Sequence, residues 1–194
     1  MASEGNETQA ARLEGGSAPG GRAHLTPRPV GILQGMARYW KEALERQAEL
    51  QRIQRERTGA RPGMLELELA AKVELAEAAQ RIKARWAWWR RNDKRFEVDR
   101  EGFVEELADV LHFVLAGLLL TEARFRVGDL PVGAGRRNGR ANGTVSNFVG
   151  VFRESSFEAL FHHLLGLALS EGVGEEEFFE AYMRKSAVNL ERWR

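Results

Sequence analysis

The sequence predicts an all-α fold, a bundle of about five main helices. Three observations lead there. Apolar residues recur at helical spacing along every long segment. No segment alternates apolar and polar residues as a half-buried strand would. Turn residues gather between the segments rather than inside them.

A chain of 194 residues suits one domain with enough mass to bury a core. Residues 1–29 combine Gly, Ser, Ala, Pro and charge with no apolar period and read as a disordered arm, which leaves 30–194 as the domain. The first helix is expected from about Gly31 to Arg57, carried by Leu33, Met36, Tyr39, Trp40, Leu44, Ala48 and Leu50. Thr58-Gly59 and Pro62-Gly63 then interrupt the chain. The second helix is expected from Met64 to about Arg90, with Leu65, Leu69, Val73, Ala76 and Ile82 as its main apolar stripe. A third should run from Asp99 to about Ala123 with Phe103, Leu107, Val110, Leu111, Val114 and Leu118 inward. Its apolar run Val110–Leu120, broken only by His112, falls short of the roughly 20 residues a membrane span needs and reads as a helix buried on nearly every side. The stretch 125–148 is studded with glycine and reads as a long flexible loop. Ser155 and Glu158 match a capping box opening a fourth helix, which Gly172 and Gly174 end. Glu175, Glu176 and Glu177 suit the first turn of a fifth, reaching the C-terminus.

Acids and bases nearly cancel to a formal net charge of +1, so no global attraction to nucleic acid or membrane is expected. The chain has no cysteine, which excludes disulfides, thiolate zinc sites and a cysteine nucleophile. The first thirty residues hold no apolar run, so no secretory signal is expected and a cytoplasmic location is.

Two predicted helices each carry carboxylates three residues apart: Glu74 and Glu77 on the second, Glu106 and Asp109 on the third. Residues at i and i+3 share a face. The rows that hold them, Leu67-Ala70-Glu74-Glu77-Arg81 and Glu106-Asp109-Phe113-Ala116-Leu120, are otherwise mostly apolar, which places the acids at the margin of the core. Converging carboxylates there would repel unless a cation sat among them, and Mg²⁺ or Mn²⁺ takes such oxygen ligands. On spacing alone, the same acids could instead pair with Lys72, Arg81 or Lys83 on a solvated face. The last helix carries Tyr182, Lys185, Asn189 and Arg192 on one stripe, cation and amide donors that suit phosphate oxygens; Lys185 and Arg192 could also simply complement the helix C-terminus. Trp86, Trp88 and Trp89 interleave with Arg85, Arg90 and Arg91, a cluster that reads as pocket or dimer wall before nucleic-acid platform. No GxxxxGK[ST] loop and no Ser/His/Asp arrangement is visible.

Glu74-Leu75-Ala76-Glu77 followed by Glu106-Leu107-Ala108-Asp109 resembles the ExxE…ExxD signature of the all-α nucleoside triphosphate pyrophosphatases, which include the dimeric dUTPases and the MazG proteins. Within that group the segment Glu105–Leu115 is similar to the EEYVDxLHFLLS stretch of the dimeric dUTPases, Ala181–Arg192 to their AYxxKxxxNxxR ending, and Gln47–Gln51 to the Q-x-x-L-(D/N) of their first helix. The resemblance implies Mg²⁺-dependent hydrolysis of dUTP, with dUDP a further substrate, by attack of water on the α-phosphorus, in a homodimer. It implies Glu74, Glu77, Glu106 and Asp109 as metal ligands, with Glu77 ahead of Glu74 as the carboxylate that handles the water. Lys185, Asn189 and Arg192 would contact phosphates or complete the metal site, with Tyr182 nearby. Gln47 would read the uracil edge, Gln51 would stand with it in the substrate site, and Trp88 would wall the base pocket. His112, three residues after Asp109, would be a core histidine or a support behind a ligand carboxylate. The family's FKxW lysine corresponds to Trp86, Gln51 stands for the usual Asp or Asn, and Gln80 for Asn. Those substitutions lie around base and sugar and keep a MazG-like pyrophosphatase of different nucleotide choice open, beside a non-enzymatic helical binding module.

Overall fold

The computed structural model describes residues 30–90, 97–121 and 132–193. Eight α-helices and a short 3₁₀ turn occur among the described residues, with no strand: α1 Val30–Thr58, α2 Met64–Arg81, α3 Lys83–Trp86, the 3₁₀ turn Trp88–Arg90, α4 Arg100–Thr121, α5 Val132–Ala141, α6 Thr144–Arg153, α7 Phe157–Ser170 and α8 Glu175–Trp193. The all-α expectation holds. The expected arm over 1–29 lies outside the described residues.

Helix α4 is the hub. Phe103, Leu107, Leu111, Val114, Leu115 and Leu118 are buried on different sides of it, and α1, α2, α7 and α8 all pack against it. The cover that its all-round apolarity demands therefore comes from the same chain. Contact order fixes the directions. Gln47 and Gln51 of α1 meet His112 and Ala116 of α4, and Ala43 and Gln47 meet Tyr182 of α8, so α1 and α4 run the same way. Arg81 of α2 reaches Glu106, nearer the start of α4, so α2 runs against it.

Four expectations are corrected. Helix α2 stops at Arg81 instead of continuing to Arg90, because the chain turns at Ile82 (φ −115°, ψ 30°) and buries that side chain. The break frees α2 carbonyls, and two neighbours satisfy them: Trp86 Nε1 donates to Ala79 O at 2.8 Å, and Asp99 N donates to Arg81 O at 2.9 Å. The inward stripe of α2 is Leu67, Ala71, Leu75 and Ala78, not Leu65, Leu69 and Val73. Small Ala71 and Ala78 let α2 lie close on α4, one of the two most extensive helix contacts, and Leu65, Leu69 and Val73 point outward.

The glycine-rich stretch expected as a loop, whose residues 125–131 lie outside the described residues, holds α5 and the first half of α6. Its glycines serve close helix packing. A Cβ on Gly135 would lie 2.8 Å from the Leu165 side chain, and one on Gly139 would lie 2.5 Å from Leu169 Cβ. These glycines, one turn apart, let α5 settle on α7. The α7 cap is Ser156, whose Oγ accepts from Ala159 N at 3.3 Å, while Ser155 Oγ instead reaches Glu68 Oε1 at 3.3 Å. The N-cap is therefore one residue later than expected, and the expected capping box does not form, because Ala159 at N3 has no polar side chain to reach back to the cap.

The end of α7 is as the sequence expects. Gly172 has φ 75°, Val173 N donates to Ala168 O at 2.9 Å and Gly172 N to Leu169 O at 3.2 Å, the paired bonds of a Schellman stop. Glu175 then opens α8 in a buried position, held by Arg136 of α5 and by Trp40 Nε1 at 3.3 Å.

Candidate active site

Helices α1, α2, α4 and α8 leave a cleft of about 1030 Å³ between them. Its walls are apolar where Leu50, Leu67, Ala70, Phe113 and Ala116 face it, and polar at its inner end, where Gln47, Glu74, Asp109, His112 and Lys185 converge. A concave, mostly apolar space with a few convergent polar groups is the form small-molecule sites take.

The acids arrive as the spacing expects. Oxygens of Glu74, Glu77 and Glu106 all lie within 4.8 Å of one another. Glu106 Oε1 accepts from Arg81 Nη2 at 2.7 Å and from Nε at 3.1 Å, and Arg81 also reaches Asp99 at 3.2 Å. Part of the surface-pairing alternative is thus realised, by Arg81; Lys72 pairs with Glu68. Asp109 turns to Lys185 Nζ at 2.6 Å instead of joining the other three.

Burial raises the Glu74 carboxyl above its ordinary range, and the neighbouring charges of Asp109, Glu77 and Glu106 raise it further. Burial also raises Asp109, against the pull of the Lys185 ammonium. Burial works against that ammonium, but its hydrogen bond to Asp109 and the surrounding acids carry it upward. The donor set is all oxygen, and its members repel one another. A hard divalent cation fits both facts, with Glu74, Glu77 and Glu106 as holders and Asp109 at their edge.

A second network lies deeper. His112 Nδ1 stands 2.8 Å from Gln47 Oε1, and Tyr182 Oη stands 3.1 Å from the same oxygen and 3.0 Å from Ala43 O. The His112 and Tyr182 rings are in contact, tilted by 38° with their centroids 4.5 Å apart. Burial, helped by the Lys185 charge, lowers His112 to about 3, so the ring is neutral. Burial raises the Tyr182 phenol, which stays protonated.

A family model described as dUTPase matches residues 39–194. The chain belongs to the all-α dUTPase family. This dUTPase is a dUTP diphosphatase, a hydrolase of nucleotide metabolism, in a family that generally uses a divalent metal. No curated protein and no solved structure gave a match. No described helix is long and apolar enough to cross a membrane.

Most of the dUTPase residues singled out from sequence do come together. Gln47, Gln51, Glu74, Asp109, His112, Lys185, Asn189 and Arg192 line the cleft, Glu77 and Glu106 complete the acid cluster beside it, and Tyr182 lies behind Gln47. Gln51 spends one amide hydrogen on Ala116 O at 3.3 Å. Trp88 is the exception. It is 75 % exposed, packs edge-on against Trp89, and does not line this chain's cleft, because the turn at Ile82 carries the Trp segment away. Arg136, placed on the expected loop, is engaged with Glu175.

Two rim residues escape the motif reading. Arg55 and Arg61 line the cleft mouth with Arg192, and no carboxylate pairs with any of the three among the described residues. Arg55 continues the Gln47, Gln51 row of α1 by one more turn, a signal present in the sequence. Arg61 sits between helices, where no helical period points.

Proposed function

We propose that this dUTPase hydrolyses dUTP to dUMP and pyrophosphate in this cleft, with Mg²⁺ held by Glu74, Glu77 and Glu106 and with Asp109 completing the set. The observation that carries the reading is the position of Glu74, which lines the cleft and belongs to the acid cluster at once. The bound cation would neutralise phosphate charge and make a ligated water more acidic. The side chains do the rest. Lys185, Asn189 and Arg192 bind phosphate oxygens from α8, and Arg55 and Arg61 at the mouth draw the polyanion in. Leu50, Phe113 and the other apolar walls exclude water from around the base. Glu74 is a better candidate than exposed Glu77 to orient the water that attacks the α-phosphorus, because it faces the substrate space. Scission between the α- and β-phosphorus also accommodates dUDP, which would leave phosphate.

A homodimer is part of the proposal. The outward stripe of Leu65 (80 % exposed) and Leu69 (65 %) on α2, and exposed Trp88 and Trp89, supports it, since such surface is costly to leave in water.

The test incubates the protein with dUTP, dCTP, dTTP and dATP, with and without Mg²⁺, and quantifies monophosphate and pyrophosphate. Mg²⁺-dependent dUMP release with little turnover of the others is expected. Comparable turnover of dCTP or dATP would replace the uracil assignment with a broader, MazG-like choice of nucleotide.

A further inference from the structure

We propose that buried His112 sets base selectivity by fixing which end of the Gln47 carboxamide faces the cleft, so that the site reads a carbonyl oxygen on the substrate base. The inference rests on the proposal that the cleft takes a pyrimidine nucleotide. It assigns His112 as a positioning residue that acts through Gln47.

Gln47 is 4 % exposed and sits with its Oε1 between two ring systems from other helices. Two hydrogen-bond patterns satisfy that geometry. In the first, His112 carries its proton on Nδ1 and donates to Gln47 Oε1, Tyr182 Oη shares its proton between the same oxygen and Ala43 O, and the Gln47 amino group is turned to the cleft. In the second, the amide is reversed: its amino group donates to Tyr182 Oη and to a bare Nδ1, His112 carries its proton on Nε2, and the oxygen is turned to the cleft. A neutral imidazole has one N–H, so the tautomer and the amide orientation are a single choice.

His112 Nε2 decides it. That nitrogen is buried and has no hydrogen-bond partner among the described residues. The second pattern would put an N–H there with nothing to accept it, and orphaned buried N–H groups are rarer than under-used acceptors. The first pattern leaves only a lone pair unmet. The pressure against a second proton comes from burial and from Lys185, so the ring does not escape the choice by ionising. With Oε1 occupied on both lone pairs, the free polar group that Gln47 offers is its NH₂, a donor. A base that presents a carbonyl oxygen there gains a hydrogen bond. A base that presents an exocyclic amino group meets donor against donor and leaves both unpaired, the kind of mismatch that discriminates strongly.

The experiment compares wild type, His112→Asn and His112→Leu. Asn can place a side-chain NH₂ near the position of Nδ1; Leu cannot donate. Selectivity is read as the ratio of kcat/KM for dUTP and dCTP, with thermal melting run alongside. Ring ¹⁵N spectroscopy on the wild type, which has four histidines, is assigned by the signal lost in His112→Asn. The expected results are an Nδ1–H tautomer, a dUTP-to-dCTP ratio about tenfold lower in His112→Leu with the loss mainly in KM for dUTP, and a ratio largely retained in His112→Asn. An Nε2–H tautomer overturns the proposal, as does a His112→Leu protein that keeps the wild-type ratio or a His112→Asn protein that loses as much as His112→Leu. If wild type turns over none of the nucleotides, the functional reading fails separately, and the tautomer still decides whether His112 orients Gln47.

Discussion

Replacing Gly139 by Ala tests whether the glycine-rich stretch is packed helix. In a flexible loop, Gly→Ala narrows the unfolded ensemble and stabilises by about 0.4–1 kcal/mol. In a helix interior the propensity gain is similar, about 1 kcal/mol. Against that gain stands a new Cβ 2.5 Å from Leu169 Cβ and 3.2 Å from Gly166 O, both on α7. Neither atom is the far end of a flexible side chain, so α5 and α7 must separate. Overpacking of this kind costs about 1–3 kcal/mol. The net expectation is a loss of up to about 2 kcal/mol, which lowers Tm by up to roughly 8 °C in a domain of this size. Gly133 is the control: it lies on the same helix, and its nearest neighbour would be Arg137 Nη1 at 3.6 Å. Gly133→Ala should leave Tm unchanged or raise it slightly. Thermal unfolding followed by circular dichroism reads both. Equal, stabilising effects of the two substitutions would refute the packing of α5 on α7.

Lys185→Met removes the 2.6 Å partner of Asp109 and a cation from the cleft; kcat/KM for dUTP should fall about 100-fold or more, and a loss below threefold would remove Lys185 from the site. Glu74→Gln should cut Mg²⁺-dependent turnover by a similar factor while relieving repulsion with Glu77, Glu106 and Asp109, so an unchanged or higher Tm should accompany the loss; full activity would dismiss the assignment. Arg55→Ala with Arg61→Ala should raise KM for dUTP about 3–10-fold at low salt, and the effect should fade as ionic strength rises; a salt-independent loss would mean these residues do not steer the polyanion. His112 gives a pH signature. Its folded value of about 3 lies below the ordinary 6.5, so the folded state binds fewer protons, and the stability gained from a neutral ring is full above 6.5 and lost as pH falls toward 3. Between pH 7 and 5 the loss is about 2 kcal/mol. The raised carboxyls Glu74 and Asp109 act in the opposite sense, so the signature is read as the difference in urea midpoint between wild type and His112→Asn. A difference that is flat with pH would show that His112 is not held neutral.

The helical class, the all-round burial of α4 and the helix faces that carry the candidate site residues are legible in the sequence alone. Helical period and i, i+3 spacing are local properties, and they carry Glu74, Glu77, Glu106 and Asp109 to shared faces before any tertiary contact forms. Motif resemblance then named the chemistry. Tertiary structure decided what depends on a partner element. Gly135 and Gly139 read as loop because local propensity cannot see α7, which makes them useful inside a helix. The stripe of Leu65, Leu69 and Val73 is as apolar as the one that is buried, and only the fit of Ala71 and Ala78 against α4 chose between them. Trp88 left the pocket because of a turn at Ile82 that no proline or glycine announces. The Gln47 amide is the finest case. Its two ends are nearly equivalent in the chain, and His112 and Tyr182, from helices far along the sequence, make them different.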